Sequence, residues 1–209
     1  RVGSHEATKD NATKAGALSS HEGDTYYYVG KANFESARSH PVQNLDKSKL
    51  PGLMAIHALF KNKGPFEIVS ELRGEELLGL TYDGPFDDLP GAAEAKDAHR
   101  VIAWDAVTES EGTGIVHIAP GCGEEDYQLG KELGLPQIAP LYEDGRFRPE
   151  FGFLAGKRFD EVADDVVVDL KKRGLLFAKE QYWHRYPHCW RCKDELVYRL
   201  VDEWFINMN

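Results

Sequence analysis

The apolar residues of this chain come in short runs, and that restricts its architecture more than any other feature. Tyr26-Tyr27-Tyr28-Val29, Phe66-Glu67-Ile68-Val69, Leu77-Leu78-Gly79-Leu80-Thr81-Tyr82, Arg100-Val101-Ile102-Ala103-Trp104 and Gly114-Ile115-Val116-His117-Ile118 each offer a strand-length, β-prone segment. Helical patterns occur over 45–62, 124–133 and 159–174. In the first, Leu53, Ile56, His57 and Phe60 recur at spacings of three and four; in the last, Val162, Val166, Val167 and Leu170 form one stripe that Gly174 stops. Residues 124–133 open with acids, where a helix dipole favours them. Residues 87–98 are acidic, rich in alanine and read as loop, and Asp144-Gly145 marks a hairpin turn. The last forty residues read as short strands with aromatic punctuation. Short strands outnumber helices and do not alternate with them regularly. The expected fold is therefore mainly β with peripheral helices (α+β), a barrel or sandwich rather than a doubly wound sheet.

Charge and cysteine usage narrow the function. The net charge is −10, which argues against a protein that grips duplex nucleic acid along its length, because phosphate contacts need cations. A small basic spot touching one strand end is still allowed. No apolar run approaches the ~20 residues that span a bilayer, mean hydropathy is −0.49, and the first residues carry no signal-peptide core. Three cysteines, two of them in Cys189-x-x-Cys192, are not a secreted disulfide framework. A soluble cytoplasmic protein without a membrane partner is the expectation. Residues 1–25 read as a polar tail, poor in large apolar groups.

The densest chemistry lies in Gly112-Thr113-Gly114-Ile115-Val116-His117-Ile118-Ala119-Pro120-Gly121-Cys122-Gly123-Glu124-Glu125-Asp126-Tyr127. Its glycines let the backbone approach a ligand closely. His117 precedes three carboxylates, and a histidine and a carboxylate joined by a Gly-Pro turn can position water and bind an amine. The plainer alternative is a satisfied histidine beside a helix whose acids cap its N-terminus.

This stretch closely resembles the editing domain of isoleucyl-tRNA synthetases, whose signature runs Gly-Thr-Gly, a hydrophobic pair, His, x-Ala-Pro-Gly, an acidic cluster and Asp-Tyr. Tyr186-Pro187-His188-Cys189-Trp190-Arg191-Cys192, followed by Trp204-Phe205, resembles the segment by which that family's chain returns to its synthetic core. Glu76-Leu77, Gly79, Tyr82 and Pro85-Phe86 give a weaker third match. The resemblance implies a β-barrel editing domain over 26–183 and a return segment over 184–209. It also implies a function: hydrolysis of valine misattached to the isoleucine tRNA. Isoleucine exceeds valine by one methylene, and a pocket that accepts isoleucine rejects valine by only about 1–3 kcal/mol, a general limit of which this amino-acid pair is itself the standing illustration. A second sieve then removes the error.

On the family pattern Asp126 holds the α-ammonium of the aminoacyl group and His117 borders the pocket and contacts the terminal ribose. Thr113, Gly114, Gly121, Gly123 and Trp104 line the substrate, and main-chain groups near Gly121 to Gly123 polarise the attacking water. His117 and Asp126 are expected to face one cleft. The implied partners are the aminoacylated 3′ end of tRNA(Ile), the valine moiety and the synthetic core. ATP belongs to that core, because the chain has neither His-x-Gly-His nor Lys-Met-Ser-Lys-Ser. No cofactor is expected in this chain. Cys189 and Cys192 are expected as unpaired thiols, with half of a zinc site as the alternative, and His184 and His188 as the nearest further donors.

The departures matter equally. The family's Trp-Thr-Thr-Thr-Pro-Trp-Thr strand, which lines its hydrolytic pocket, has no counterpart here, and no cysteine pair precedes Leu18-Ser19-Ser20-His21-Glu22. The chain is thus a naturally reduced editing domain or one with a stretch removed. The alternative function is a weakened or dead binding module for aminoacyl-tRNA or amino acid; a structural role, packing against the synthetic core, is the third. His57 on its helix's apolar face reads as a packed histidine, and Tyr26 to Tyr28 as packing rather than a base-stacking platform.

Overall fold

The computed structural model describes residues 25–36, 38, 53–108, 113–204 and 206–208. Most of the polar tail and the 45–52 portion of the first predicted helix lie outside the described residues. The chain divides into two compact units. The first joins 1–85, 99–117 and 167–185; the second joins 86–98, 118–166 and 186–209.

In the first unit, helices α1 (Lys31–Glu35) and α2 (Ile56–Lys61) pack together. Leu53, Ile56 and Leu59 are buried. Around them an aromatic cluster forms. Phe60 lies 4.8 Å from Phe177 and 5.2 Å from Tyr27, ring centre to ring centre, and Phe34 and Phe66 join it. His57 Nδ1 sits 3.0 Å from the Phe34 carbonyl, so it is the packed histidine its position predicted. Tyr27 packs on Phe60 and Phe177, which is likewise a packing role. A polar clamp ties the unit together. Arg38 pairs with Glu180, donates from Nε to the Met54 carbonyl at 2.9 Å, and Glu180 accepts the Met54 amide at 3.2 Å.

The second unit is built on turns and short helices. Its buried core is Phe151, Leu154 and Val162, with Leu89, Ile138, Phe147 and Val166 packed against it. The 3-10 turns Pro90–Ala92 and Pro149–Leu154 meet here, and Gly91 lets the Phe151 ring come within 2.7 Å of where a β-carbon would be. Helix α3 (Ala93–Lys96) follows the first of these turns, so 87–98 is more ordered than the loop expected. Helix α4 (Glu124–Leu133) has the predicted bounds and ends on Gly134 in the left-handed conformation. Helix α5 (Ala163–Lys172) occupies the inner part of 159–174; its first turn belongs to this unit, and its remainder, with Gly174 at φ 73° beyond it, is counted with the first. The Asp144-Gly145 turn forms as expected: Gly145 adopts φ 78°, and Leu141 bridges Phe147.

The mainly-β expectation is not met. Among the described residues β pairing is confined to isolated bridges: Arg38 with Leu53, Thr81 with Arg100, Leu141 with Phe147, Arg146 with Arg158, and His188 with Glu195. No barrel is present among them. The reason is local. A ladder needs consecutive residues in extended conformation with an unbroken exchange of amide bonds. The 77–82 run begins inside the 3-10 turn Gly74–Leu77 and is broken at Gly79, where φ is +80°. The 100–104 run meets it at the single bridge of Arg100 with Thr81 and beside it at Val101, whose carbonyl accepts the Gly79 amide and whose amide donates to the Leu80 carbonyl. Ile68, Val69, Ile115 and Val116 are exposed and belong to no ladder. The segments have β character without the neighbours that would make a sheet.

Truncating the second unit's core tests this packing. Phe151→Ala is expected to destabilise it by about 3–5 kcal/mol, read as an earlier urea midpoint in that unit, whereas Glu132→Ala, at an exposed position of α4, changes it by less than about 0.5 kcal/mol.

Candidate functional site

The motif residues are positioned by two tight backbone approaches. The first joins Thr113 and Gly114 to Gly30. The Gly30 amide donates to the Thr113 carbonyl. Gly114 has φ +79°, and a β-carbon there would fall 2.8 Å from the Gly30 α-carbon. Thr113 Oγ1 turns back and donates to the Ile115 carbonyl at 3.2 Å. Only glycine at both crossing positions allows the two chains this close. Gly30 is a site-shaping residue that the sequence does not mark.

The second approach holds the Ala119–Gly123 turn. A β-carbon on Gly121 would lie 1.8 Å from the Ile138 carbonyl oxygen, a distance no side chain can occupy. Gly130 in α4 accommodates the Pro120 ring at 2.7 Å in the same way. The turn closes with the Cys122 amide donating to the Ala119 carbonyl at 2.9 Å. Asp126 then locks it: its Oδ2 accepts the Ala119 amide at 2.9 Å. Asp126 sits in the first turn of α4 with Glu124 and Glu125 and is half-buried. The arrangement presents a carboxylate beside a glycine-lined backbone, which suits a small cationic group.

The remaining predicted residues are placed as follows. Gly123 immediately precedes α4 in extended conformation. His117 is exposed and ends a segment of the first unit, whereas Asp126, Gly121 and Gly123 belong to the second. Trp104 is half-buried in the first unit, and its carbonyl accepts the Val107 amide at 3.2 Å. Ile138, through its carbonyl, is the residue of the second unit that sequence reasoning missed.

Cys189 and Cys192 share one closed turn. The Lys193 amide donates to the Cys189 carbonyl at 2.9 Å and the Cys189 amide to the Asp194 carbonyl at 2.8 Å. Lys193 adopts φ 66°, and its Nζ donates to the Trp190 carbonyl at 2.8 Å. The backbone amides of Cys192 and Arg191 point at the Cys189 sulfur and hold its thiol below the ordinary range. The Asp194 amide acts likewise on Cys192, but the Cys189 thiol, desolvation and the Asp194 carboxylate together push Cys192 up. His188 Nδ1 is taken up by the Lys193 carbonyl, and His184 Nδ1 by the Arg185 carbonyl. Among the described residues no three His, Cys, Asp or Glu side chains gather as a metal site. A closed structural zinc site needs four donors, and the residues gathered here supply two.

Comparison with known proteins bears on this geometry. No family model matches the chain. It is 42% identical over 148 residues to an isoleucine–tRNA ligase of Methanopyrus kandleri, a match covering 68% of this chain and 14% of the relative. Isoleucine–tRNA ligases of Methanothrix thermoacetophila and Bdellovibrio bacteriovorus are 47% and 44% identical, over 69% and 67% of this chain and 14% and 13% of their own lengths. The chain belongs to the isoleucine–tRNA ligase family. It spans about one seventh of the length of the curated relatives it matches. No helix among the described residues is long and apolar enough to cross a membrane.

In this segment of the isoleucine–tRNA ligase family, the Asp126 lock can be tested directly. Asp126→Ala removes an acceptor worth about 1–3 kcal/mol, so hydrogen exchange at the Ala119 amide is expected to speed up by roughly tenfold or more, at 1.4 kcal/mol per decade. Asp126→Asn keeps an acceptor oxygen and is expected to retain most of the protection.

Proposed function

We propose that this chain is the editing domain of an isoleucine–tRNA ligase and that it hydrolyses valine esterified to tRNA(Ile). The observation that carries the reading is the Asp126 carboxylate, held by the Ala119 amide through one oxygen beside the crowded Gly121 turn. A carboxylate fixed in this way is a natural anchor for the α-ammonium of an aminoacyl ester, since charge-assisted hydrogen bonds are strong and directional. The ester carbonyl would then lie near the main chain of Gly121 to Gly123. A water attacks that carbonyl, the bond to the ribose oxygen breaks, and the ribose hydroxyl leaves with the proton. The family resemblance assigns to His117 the limiting of side-chain size and contact with the terminal ribose, and to Trp104, Thr113 and Gly114 contact with the substrate. The partners are the aminoacylated 3′ end of tRNA(Ile) and the synthetic core of a cytoplasmic parent enzyme, where ATP is used. The chain itself takes no cofactor.

The relatives' name supports the family context, and the motif in its order supports the editing assignment. The missing threonine-rich strand supports a slower enzyme, or a binding module in the limit.

The test is deacylation of valyl-tRNA(Ile) by this chain and by a complete ligase carrying the same motif. Asp126→Ala is expected to slow it by about one to two decades, as loss of roughly 1.5–3 kcal/mol implies. His117→Ala is expected to enlarge the pocket, so that isoleucyl-tRNA becomes a substrate while valyl-tRNA is still cleaved. Unchanged valyl-tRNA hydrolysis and unchanged binding of a non-hydrolysable valyl-adenosine analogue in the complete ligase bearing Asp126→Ala would reduce Asp126 to a turn-locking carboxylate. Analogue binding without hydrolysis by the present chain would establish the binding-module reading.

A further inference from the structure

The 140–158 stretch of the second unit gathers arginines that the editing chemistry leaves unused. Leu141 bridges Phe147; Leu141 is buried and Phe147 packs on the core. The residues one step to either side, Tyr142, Arg146 and Arg148, therefore share the opposite face. Arg158 joins them, because it bridges Arg146. The Phe159 amide donates to the Gly145 carbonyl and the Phe147 amide to the Lys157 carbonyl. Those flanking bonds make Arg146 and Arg158 a non-hydrogen-bonded pair, the kind whose side chains stand closest. Like charges directly opposite cost stability, yet three arginines share this small face of a chain whose net charge is −10.

Nearby acceptors account for two of the three. Arg146 Nε lies 3.5 Å from Asp144, and its guanidinium donates to the Gly156 carbonyl at 2.7 Å. Arg158 donates to Asp160 at 3.1 and 3.3 Å. Arg148 differs. Its guanidinium lies over the exposed Tyr142 ring, 4.8 Å from the ring centre. Its Nε is buried and has no hydrogen-bond partner among the described residues. A buried donor left unpaired is costly, and a guanidinium stacked on a ring has the plane of its donor fork already set.

We propose that Arg148, stacked on Tyr142 and flanked by Arg146 and Arg158, is a phosphate-binding site. A phosphate accepts two parallel bonds from one guanidinium. It also keeps an oxygen for a neighbouring cation, and its charge offsets the repulsion between Arg146 and Arg158. The phosphate can come from the free anion or from an RNA strand; taking it as the strand that delivers the aminoacyl ester rests on the editing reading.

Two probes separate these sources. The purified, isotope-labelled chain is titrated with inorganic phosphate and, separately, with a short unacylated single-stranded RNA, while the Arg148 Nε–H signal is followed by NMR. Affinity for the RNA is also measured across a range of salt. The RNA is expected to shift the signal. Arg148→Ala is expected to weaken RNA binding by about tenfold or more and to reduce the slope of log affinity against log salt by about 0.7. Arg148→Lys keeps the slope but not the full affinity, and Tyr142→Ala, which frees the fork, does the same. Lys131→Ala, which removes an equal charge from an exposed position of α4, leaves both unchanged. A signal moved by inorganic phosphate, with RNA binding indifferent to Arg148, would uphold the phosphate site and assign it to the free anion. A signal that neither probe moves would overturn the proposal, as would equal losses of RNA affinity from Lys131→Ala and Arg148→Ala. The editing reading fails or stands separately, because the valyl-adenosine analogue carries no phosphate. Its binding is expected to depend on Asp126 and not on Arg148; an analogue that does not bind, beside RNA binding that needs Arg148, would leave the phosphate site standing without the editing role.

Discussion

A glycine at position 121 has no alternative. The Ile138 carbonyl oxygen occupies the space a β-carbon would need, and the 119–123 turn can sit where it does only because nothing projects from that residue. Much of the second unit depends on this contact. It sets the turn against the 135–140 segment, brings the Ala119 amide onto the Asp126 carboxylate and orients the start of α4. The Pro120 ring against Gly130 repeats the logic further along the helix. Close packing of backbone on backbone is stiff, because neither partner has a rotamer to yield.

Two such crossings, Gly121 on Ile138 and Gly114 on Gly30, organise a motif whose residues divide between the units. Thr113, Gly114 and His117 belong to the first; Gly121, Gly123 and Asp126 belong to the second. Each half is internally braced by its own glycine contact. The glycines of the motif therefore carry architecture as well as room for a ligand, and the two roles are separable: one concerns what the backbone touches from behind, the other what it offers in front.

The parts of the structure legible in the sequence are those whose cause is local. The acids opening α4, Gly174 beyond α5, the Asp144-Gly145 turn and the packed ring of His57 are all announced by residue types and spacings within a short window. The strands did not follow, because a strand is completed by a partner distant in the chain, and β propensity does not specify that partner. Gly79 is readable as a residue, but its left-handed break of the 77–82 run shows only in the backbone. In the candidate site the motif draws attention to Asp126 and Gly121, yet the groups that hold them, Ala119 N–H and the Ile138 carbonyl, are main-chain atoms. Nearly every residue has those atoms, so no residue type signals them.

The clamp between Arg38 and Glu180 joins residues 142 positions apart. During synthesis the first unit therefore stays open at this point until residue 180 has left the ribosome. The second unit's central stretch, 118–166, is continuous and holds Ile138, Phe147, Phe151, Leu154, Val162 and Val166 of one cluster. Its hydrophobic core can be collected while the first unit still waits for its last strip of chain. Each unit nevertheless draws on a late strip of chain, 167–185 for the first and 186–209 for the second, and only the central cluster of the second lies within one continuous stretch.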